Sequence, residues 1–210
     1  MKKTRKILAM AACAVLLVCI SVGATVAYLT STDEVTNTFT IGQVAITLDE
    51  AKTNADGQPV NNENTVVELK NAPRVDRNNY KLMPGHPYVK DPTVHFAAGS
   101  EASWLFIEVT NGIADIESKA NDYKSIATQI TDNGWTALDG VAGVYYKSVP
   151  ANTGNAAVDY PVFQGFTVDG SVTGTTLEDY NGKTVKIVAY AVQADGFTTA
   201  SDAWTTGLGK

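Results

Sequence analysis

The alternation of apolar and polar residues along most of the chain predicts short β-strands. Runs rich in Val, Ile, Thr, Tyr and Phe are separated by clusters of Asn, Asp, Gly and Pro, a pattern typical of an antiparallel β protein. The segment 53–64 is predicted as a polar loop or hairpin tip, and Met83-Pro-Gly85 as a turn. The candidate strands are residues 38–48, 65–69, 79–82, 93–96, 103–109, 144–149, 158–166 and 183–193.

Two of these candidate strands are apolar on both faces. In the strand 103–109, Leu105 and Ile107 point one way, while Trp104 and Phe106 point the other. The strand 183–193 alternates in the same manner, with apolar residues at odd and at even positions. Strands of this kind are covered on both sides, so we expect both to be central in the fold.

One stretch departs from the strand pattern. Between residues 113 and 130, apolar side chains recur at steps of three and four, which indicates an amphipathic helix. Asn133-Gly134 is a suitable helix end. The sequence therefore predicts a mostly β fold, a jelly-roll-like antiparallel β-sandwich with one crossover α-helix.

The first candidate strand contains a break in its alternation. Phe39 and Ile41 are apolar at odd positions, whereas Val44 and Ile46 are apolar at even positions, and Gly42 lies at the change. In one unbroken strand the two sets would face opposite sides of the sheet. Either Gly42 is a bulge in one long strand, or the residues before and after it belong to different sheets, in the same or in different molecules.

The first residues have the features of a secretory signal peptide. Lys2, Lys3, Arg5 and Lys6 precede an apolar run over residues 7–22, and small residues follow. The apolar run is shorter than the roughly 20 residues that span a bilayer, which favours cleavage over an uncleaved anchor. Two cleavage sites are open, after Ala24 and after Ala27. We predict a signal-peptide helix over 1–27, an extended segment over 28–42 and one β-sandwich domain over 43–210.

Removal of this segment changes the composition of the mature protein. Cys13 and Cys19 both lie in the apolar run, so the mature chain has no cysteine for a disulfide or a thiol nucleophile. Four basic residues also leave, so Lys plus Arg falls from 16 to 12 against 22 acidic residues and the net charge moves from −6 to −10. Such a charge disfavours binding to nucleic acid or to an anionic membrane.

The sequence offers little catalytic chemistry. His86 and His95 are its two histidines, and it has no H-E-x-x-H motif or G-x-S-x-G elbow. The repeated Asp-Gly pairs are interpreted as turns, with calcium binding as a weaker reading. The three tryptophans are scattered, as expected of core and rim aromatics rather than of a carbohydrate platform. We therefore predict no enzyme activity, no catalytic residue, no metal site and no cofactor.

Three stretches resemble the TasA/camelysin family of secreted proteins. The most specific is Gly23-Ala-Thr-Val-Ala-Tyr28 with its continuation Asn37-Thr-Phe-Thr-Ile-Gly42. The others are Tyr80-Lys-Leu-Met-Pro-Gly-His-Pro87, extending to Val109, and Ile187-Val-Ala-Tyr-Ala-Val-Gln-Ala-Asp-Gly-Phe197. Members of this family are processed by the dedicated SipW-type signal peptidase of Gram-positive bacteria and form biofilm matrix fibres.

The resemblance implies a place, a partner and a mode of assembly. It implies cleavage between Ala27 and Tyr28, contact with the membrane only during export, and a final location in the extracellular matrix or at the cell surface. It also implies fibres of this chain, with related matrix subunits as further partners, built by donor-strand exchange. The donor strand would then present Val35, Phe39 and Ile41 to the next subunit, and Gly42 would be its hinge.

Two alternative functions stay open at this point. A monomeric surface-associated adhesion or binding module could use the same sandwich and would expose an aromatic cluster on one face. A camelysin-like metalloendopeptidase activity is the third reading, and it lacks a recognisable zinc motif in this sequence.

Overall fold

The structure is a computed structural model that describes residues 42–119 and 123–210. Its strands are β1 Ile46–Ala51, β2 Arg74–Val75, β3 Pro87–Val89, β4 Thr93–Phe96, β5 Ser103–Asn111, β6 Thr136–Ala137, β7 Val144–Val149, β8 Val158–Pro161, β9 Gly165–Thr167 and β10 Val185–Gln193. Its α-helices are α1 Ile126–Asp132, α2 Gly174–Glu178 and α3 Ala200–Asp202. Two 3-10 turns, Leu69–Asn71 and Ala114–Ile116, and one π-helical turn, Ala203–Gly207, complete the regular structure of these residues.

The strands form antiparallel sheets. One sheet has the order β2-β1-β4-β8, a second has the order β10-β5-β7-β6, and β3 pairs with β9. Every pair of these strands is antiparallel. The prediction of a mostly β, antiparallel fold with few helices is therefore confirmed.

Both four-stranded sheets contribute to one hydrophobic core. Val94 and Phe96 of β4 meet Leu105 and Ile107 of β5 in a single cluster, and each is at most 1% exposed. Strand alternation produces this arrangement, because the residues between them, such as His95, point to the other face of the sheet. Further members come from β3, β7, β9 and α1: Tyr88, Val149, Phe166, Ile126 and Ile130.

Strands β5 and β10 are covered on both faces, as their sequences predict. Their odd-numbered apolar residues pack on the main core, whereas Phe106 and Tyr190 belong to a second cluster on the opposite side. That second cluster is closed by Ala203 and Trp204 of the C-terminal turn. The C-terminal segment therefore covers the outer face of this sheet.

The single helix predicted over residues 113–130 is wrong. Ala114–Ile116 is a 3-10 turn, and Glu117 is extended and bridges Val168, so the helix α1 begins only at Ile126. The buried carboxylate of Glu117 accepts hydrogen bonds from Asn111 Nδ2 at 2.5 Å and from Ile126 N at 3.0 Å. These tertiary partners outweigh the local helical periodicity, although Gly134 ends α1 with φ +78°, as predicted.

Several strand predictions also need correction. Residues 65–69 make one isolated bridge, Val66 with Val60, and then turn, while residues 79–82 form no strand. The candidate strand 158–166 is two strands, because the chain leaves β4 after Pro161 and pairs with β3 from Gly165. The short strands β2, β3 and β6 were not predicted, since two or three residues carry no alternation.

The predicted turns are present where the structure describes them. Met83-Pro-Gly85 is a turn in which His86 N donates to Met83 O at 3.3 Å and Gly85 has φ +71°. Of the Asp-Gly pairs, those at Gly57, Gly140 and Gly196 take positive φ. No helix among the described residues is long and apolar enough to cross a membrane.

Candidate functional site

Strand β10 leaves one of its edges open. It pairs with β5 along all nine of its residues, from Val185 opposite Asn111 to Gln193 opposite Ser103. Within residues 42–119 and 123–210, no strand pairs with its other edge. A row of unpaired backbone N–H and C=O groups on a strand of this length is a template for another strand.

The alternation of the ladder identifies the open backbone groups. Thr184 O accepts from Gly112 N at 2.9 Å, and Ala194 N donates to Ala102 O at 2.7 Å, so even-numbered residues bond to β5. Because hydrogen-bonding directions alternate along a strand, the backbone groups of the odd-numbered residues 185–193 point to the open edge. Four of the five odd-numbered side chains, Val185, Ile187, Ala189 and Ala191, pack against the main core.

A cleft of about 1050 Å³ adjoins the first residues of β10. Leu48 of β1 and Ile187 of β10 form two of its walls, and these two strands lie close to each other. Phe166 of β9 and Leu177 of α2 complete an apolar lining. Leu48, Leu177 and Ile187 pack against the core but stay only partly buried, so this apolar surface is not fully covered by the described residues.

One end of the cleft is polar and buried. Glu50 is 4% exposed and Lys90 is 8% exposed, and their side chains form an ion pair with Nζ 2.5 Å from Oε2. Asn78 Nδ2 donates to the other carboxylate oxygen of Glu50 at 2.9 Å. Burial, and next the negative charge of Glu50, raise the pKa of Tyr80, whose hydroxyl donates to Val89 O. Sequence alternation could have indicated that Glu50 faces inward, because it continues the even-numbered series of Val44, Ile46 and Leu48.

Positive charge lies at the β10 side of the cleft. Lys183 precedes the strand and Lys186 is in it, and both are exposed and line the cleft. Negatively charged residues, including Asp76 and Glu178, line other parts of the rim. The edge of β10 itself therefore favours an acidic or neutral partner segment.

Most residues of the predicted donor site lie outside the described residues. These are Ala27, Tyr28, Val35, Phe39 and Ile41. Gly42 is described and exposed, and a Cβ at this position would lie 2.9 Å from Glu101 Cγ. The conformation of Gly42 is not one that requires glycine, so close approach to Glu101 is its structural constraint.

The position of Gly42 relates it to the open edge. Gln43 O accepts from Glu101 N at 3.0 Å, and Gln43 bridges Ser100. Ala102, which follows Glu101, accepts a hydrogen bond through its carbonyl oxygen from the N–H of Ala194, the first residue after β10. The chain thus enters the described domain where β5 begins and β10 ends.

The two histidines lie apart and are engaged in structural contacts. His86 Nε2 is 2.9 Å from Asp56 O. His95 lies between Asp49 and Asp159, 2.9 Å and 2.6 Å from their carboxylates, and Arg74 also binds Asp49 at 2.6 Å. No group of three or more His, Cys, Asp or Glu in the described part of the chain is arranged to hold a metal ion.

The histidine network shifts the pKa values of its members. Burial lowers the pKa of His95, but the hydrogen bonds to Asp49 and Asp159 outweigh this and raise it above its ordinary value. Burial raises the pKa of Asp49, but hydrogen bonds from His95 and Arg74 lower it overall. These charged side chains connect the strands β1, β4 and β8 of one sheet.

The tryptophans are parts of the two clusters. Trp135 is 2% exposed and Trp204 is 4% exposed, whereas Trp104 is half-buried beside Tyr146.

Comparison with family models, with curated proteins and with solved structures found no match for this chain.

Proposed function

We propose that this protein is an exported structural subunit that assembles head to tail, with residues 28–41 of one copy pairing along the open edge of β10 in the next. The open nine-residue edge beside a partly uncovered apolar cleft is the observation that carries the proposal. Main-chain hydrogen bonds along the edge would supply affinity, and alternate side chains would fix the register. Val35, Phe39 and Ile41 are the odd-numbered apolar side chains that would face the acceptor.

The donor segment fits the acceptor in length. With cleavage between Ala27 and Tyr28, 14 residues precede Gly42, and at ~3.3 Å per residue they extend to about 46 Å. The nine residues of β10 span only about 30 Å. Enough chain remains to connect two subunits.

The donor segment also fits in charge. Asp33 and Glu34 are its charged residues, and it has no Lys or Arg. Lys183 and Lys186 lie on the acceptor side of the cleft. Opposite charges at this position would guide the encounter of two copies that repel each other overall.

The geometry favours a neighbouring copy over the chain's own β10. The segment joins the domain at Gly42, near the end of β10, so folding back onto that strand would make it run parallel to β10. All pairs between the strands β1 to β10 are antiparallel, and the one parallel contact among the described bridges is the single pair Gln43–Ser100. A segment from another copy can enter in either direction. Head-to-tail donation is not self-limiting as a two-fold contact is, and it produces a filament when successive rotations do not close a ring.

The proposal includes the features that the family resemblance implies. These are processing by a SipW-type signal peptidase, a jelly-roll arrangement of the two sheets, a location in the extracellular matrix or at the cell surface, and copolymerisation with related matrix subunits. The adhesion module is the competing function, and it predicts a folded monomer at every concentration.

Electron microscopy of two purified chains tests the proposal. We expect a chain of residues 28–210 to form filaments and a chain of residues 42–210 to stay monomeric while keeping its circular dichroism spectrum. The shorter chain lacks Asp33 and Glu34, so its net charge is −8 rather than −10 and stronger repulsion cannot explain its failure to assemble. Equal filament formation by both chains would disprove donor exchange.

Matched variants test the register on the donor and the edge on the acceptor. Phe39→Asp should prevent filaments, whereas Thr38→Asp, with the same added charge on the opposite face, should allow them. Ala189→Pro removes an outward N–H of β10 and should prevent filaments, while Ala189→Ser keeps that donor and should not. If Thr38→Asp and Phe39→Asp behave alike, the proposed register is wrong.

A further inference from the structure

An amine, a carboxylate and a carboxamide meet at the buried end of the cleft. Lys90 Nζ is 2.5 Å from Glu50 Oε2, and Asn78 Nδ2 is 2.9 Å from Glu50 Oε1. One carboxylate thus bridges a primary amine and a side-chain amide. Burial keeps water away from two of the three groups, since Glu50 is 4% exposed and Lys90 is 8% exposed.

The carboxamide of Asn78 is oriented by the backbone of β1 and the residues that follow it. Asn78 Oδ1 accepts a hydrogen bond from Thr53 N at 2.8 Å, and Nδ2 donates to Ala51 O at 2.9 Å as well as to Glu50. A backbone N–H on the carbonyl oxygen is the type of donor that stabilises the oxyanion of an acyl-transfer intermediate. The nitrogen that would leave lies against the group that can protonate it.

We propose that Lys90 and Asn78 join in an intramolecular isopeptide bond, with Glu50 as the proton carrier. The ammonium of Lys90 passes a proton to the carboxylate of Glu50, and the free amine attacks Cγ of Asn78. The oxyanion that forms on Oδ1 is stabilised by Thr53 N–H. Glu50 returns its proton to Nδ2 as the Cγ–Nδ2 bond breaks, and ammonia leaves Cγ. The ammonia then takes the second proton of the new amide nitrogen and departs as ammonium.

The reaction needs no reagent beyond the three side chains and the backbone N–H of Thr53. One C–N bond forms and one C–N bond breaks, no electron is transferred, and ammonium, which carries away the charge of the Lys90 ammonium, is the single by-product. Holding the reacting groups together replaces a bimolecular encounter, which is the main barrier that placement can remove. Asn78, Glu50 and Lys90 line the cleft, so ammonium has a path to solvent.

The bond would tie together elements that otherwise depend on weak pairing. Asn78 follows the two-residue strand β2, and Lys90 follows the three-residue strand β3. Linking them closes the loop between these strands against β1, which carries Glu50. In a mature chain without cysteine, such a cross-link constrains the unfolded state as a disulfide would and does not depend on redox conditions.

Peptide mass spectrometry of the folded full chain tests this inference. Trypsin acts after Arg77, Lys81 and Lys90 in an unreacted chain. The isopeptide bond would block cleavage after Lys90 and join the peptide 78–81 to the peptide 82–119, with a combined mass lighter by one ammonia. Free peptides 82–90 and 91–119 from the wild-type chain would overturn the proposal, as would loss of ammonia confined to the unlinked peptide 78–81.

Two variants distinguish a specific role of Glu50 in proton transfer from a general effect of losing a buried carboxylate on the yield of cross-linked peptide. Glu50→Gln should abolish the cross-linked peptide. Glu117→Gln is the matched control, because Glu117 is also buried and also hydrogen-bonded to an asparagine, but forms no ion pair with a lysine in the described part of the chain. This variant should retain the cross-link. A cross-link in Glu50→Gln would exclude Glu50 as the carrier. The wild-type result is decisive even if a variant does not fold, and it does not depend on whether the protein forms filaments.

Discussion

At the scale of single residues, His95 acts as a charged connection across three strands. It lies on β4 on the face opposite the core, directly across from Asp159 on β8, and it reaches Asp49 on β1. Because both ring nitrogens face carboxylates, the protonated form is stabilised and its pKa is raised, although burial alone would lower it. The side chain is partly exposed, so solvent screening keeps its contribution small, at about 1 kcal/mol or less.

This arrangement predicts a pH dependence of stability. The contribution of His95 is fully present below its ordinary pKa of 6.5 and is lost as the pH rises through the raised pKa of the folded state. The contribution of Asp49, whose folded pKa is lowered, is present above its ordinary value of 3.8 and is lost as the pH falls through the folded pKa. The network is therefore strongest between these two values.

Urea denaturation at pH 6 and pH 8 measures this effect. We expect the unfolding free energy to fall between the two pH values in the wild-type protein and to fall less in His95→Gln. His86→Gln should keep the wild-type slope, because His86 faces a backbone carbonyl rather than carboxylates. Identical slopes for His95→Gln and the wild type would refute the role of the network.

At the scale of elements, the C-terminal turn is the cover of the outer face of the second sheet. Trp204 is 4% exposed, with its ring centroid 5.2 Å from that of Phe106 and 5.6 Å from that of Tyr190. These partners belong to β5 and β10, the two strands that are apolar on both faces. The turn therefore shields the strand that we propose as the acceptor.

Replacement of Trp204 tests the importance of this cover. Trp204→Ala should lower the free energy of unfolding by about 3–5 kcal/mol, because it leaves a large cavity between the turn and the sheet. Thr206→Ala, at an exposed position of the same turn, should change it by less than about 0.5 kcal/mol. Chemical denaturation followed by intrinsic fluorescence or circular dichroism gives both values, and equal effects would show that the turn is not a cover.

At the scale of the whole molecule, net charge and the open edge have opposing effects. A mature chain with a net charge of −10 repels its own copies, and this limits uncontrolled pairing at the edge of β10. The lysines at that edge act locally in the other direction. Assembly should then depend on how strongly the solution screens charge.

We expect filament formation by residues 28–210 to increase with salt. The screening length falls from about 10 Å at 0.1 M to about 3 Å at 1 M, which weakens the repulsion between subunits more than it weakens contacts already formed. Light scattering with electron microscopy across this range gives the measurement. A chain of residues 42–210 under the same salt conditions is the control, and filaments from it would indicate association that is independent of the donor segment.

The sequence alone determined the class of the fold and much of its strand pattern. Alternation located β4 and β7 with their observed bounds and identified β5 and β10 as apolar on both faces, because each side chain of a strand is assigned to a face by its position. The turn at Gly85 and the helix end at Gly134 were also predicted from the sequence, because glycine readily adopts the left-handed conformation that both residues have. The sequence also suggested the export signal and the donor segment, which lie outside the described residues.

Tertiary structure decided the features that depend on residues far apart in the chain. Glu117 interrupts the predicted helix because its carboxylate is buried between Asn111 and Ile126, and local periodicity carries no information about such partners. The open edge of β10 depends on which strands become neighbours, a property of topology rather than of its own sequence. The meeting of Glu50, Asn78 and Lys90 has the same origin, because 40 positions separate the ion-paired residues and only folding brings their charges within 2.5 Å.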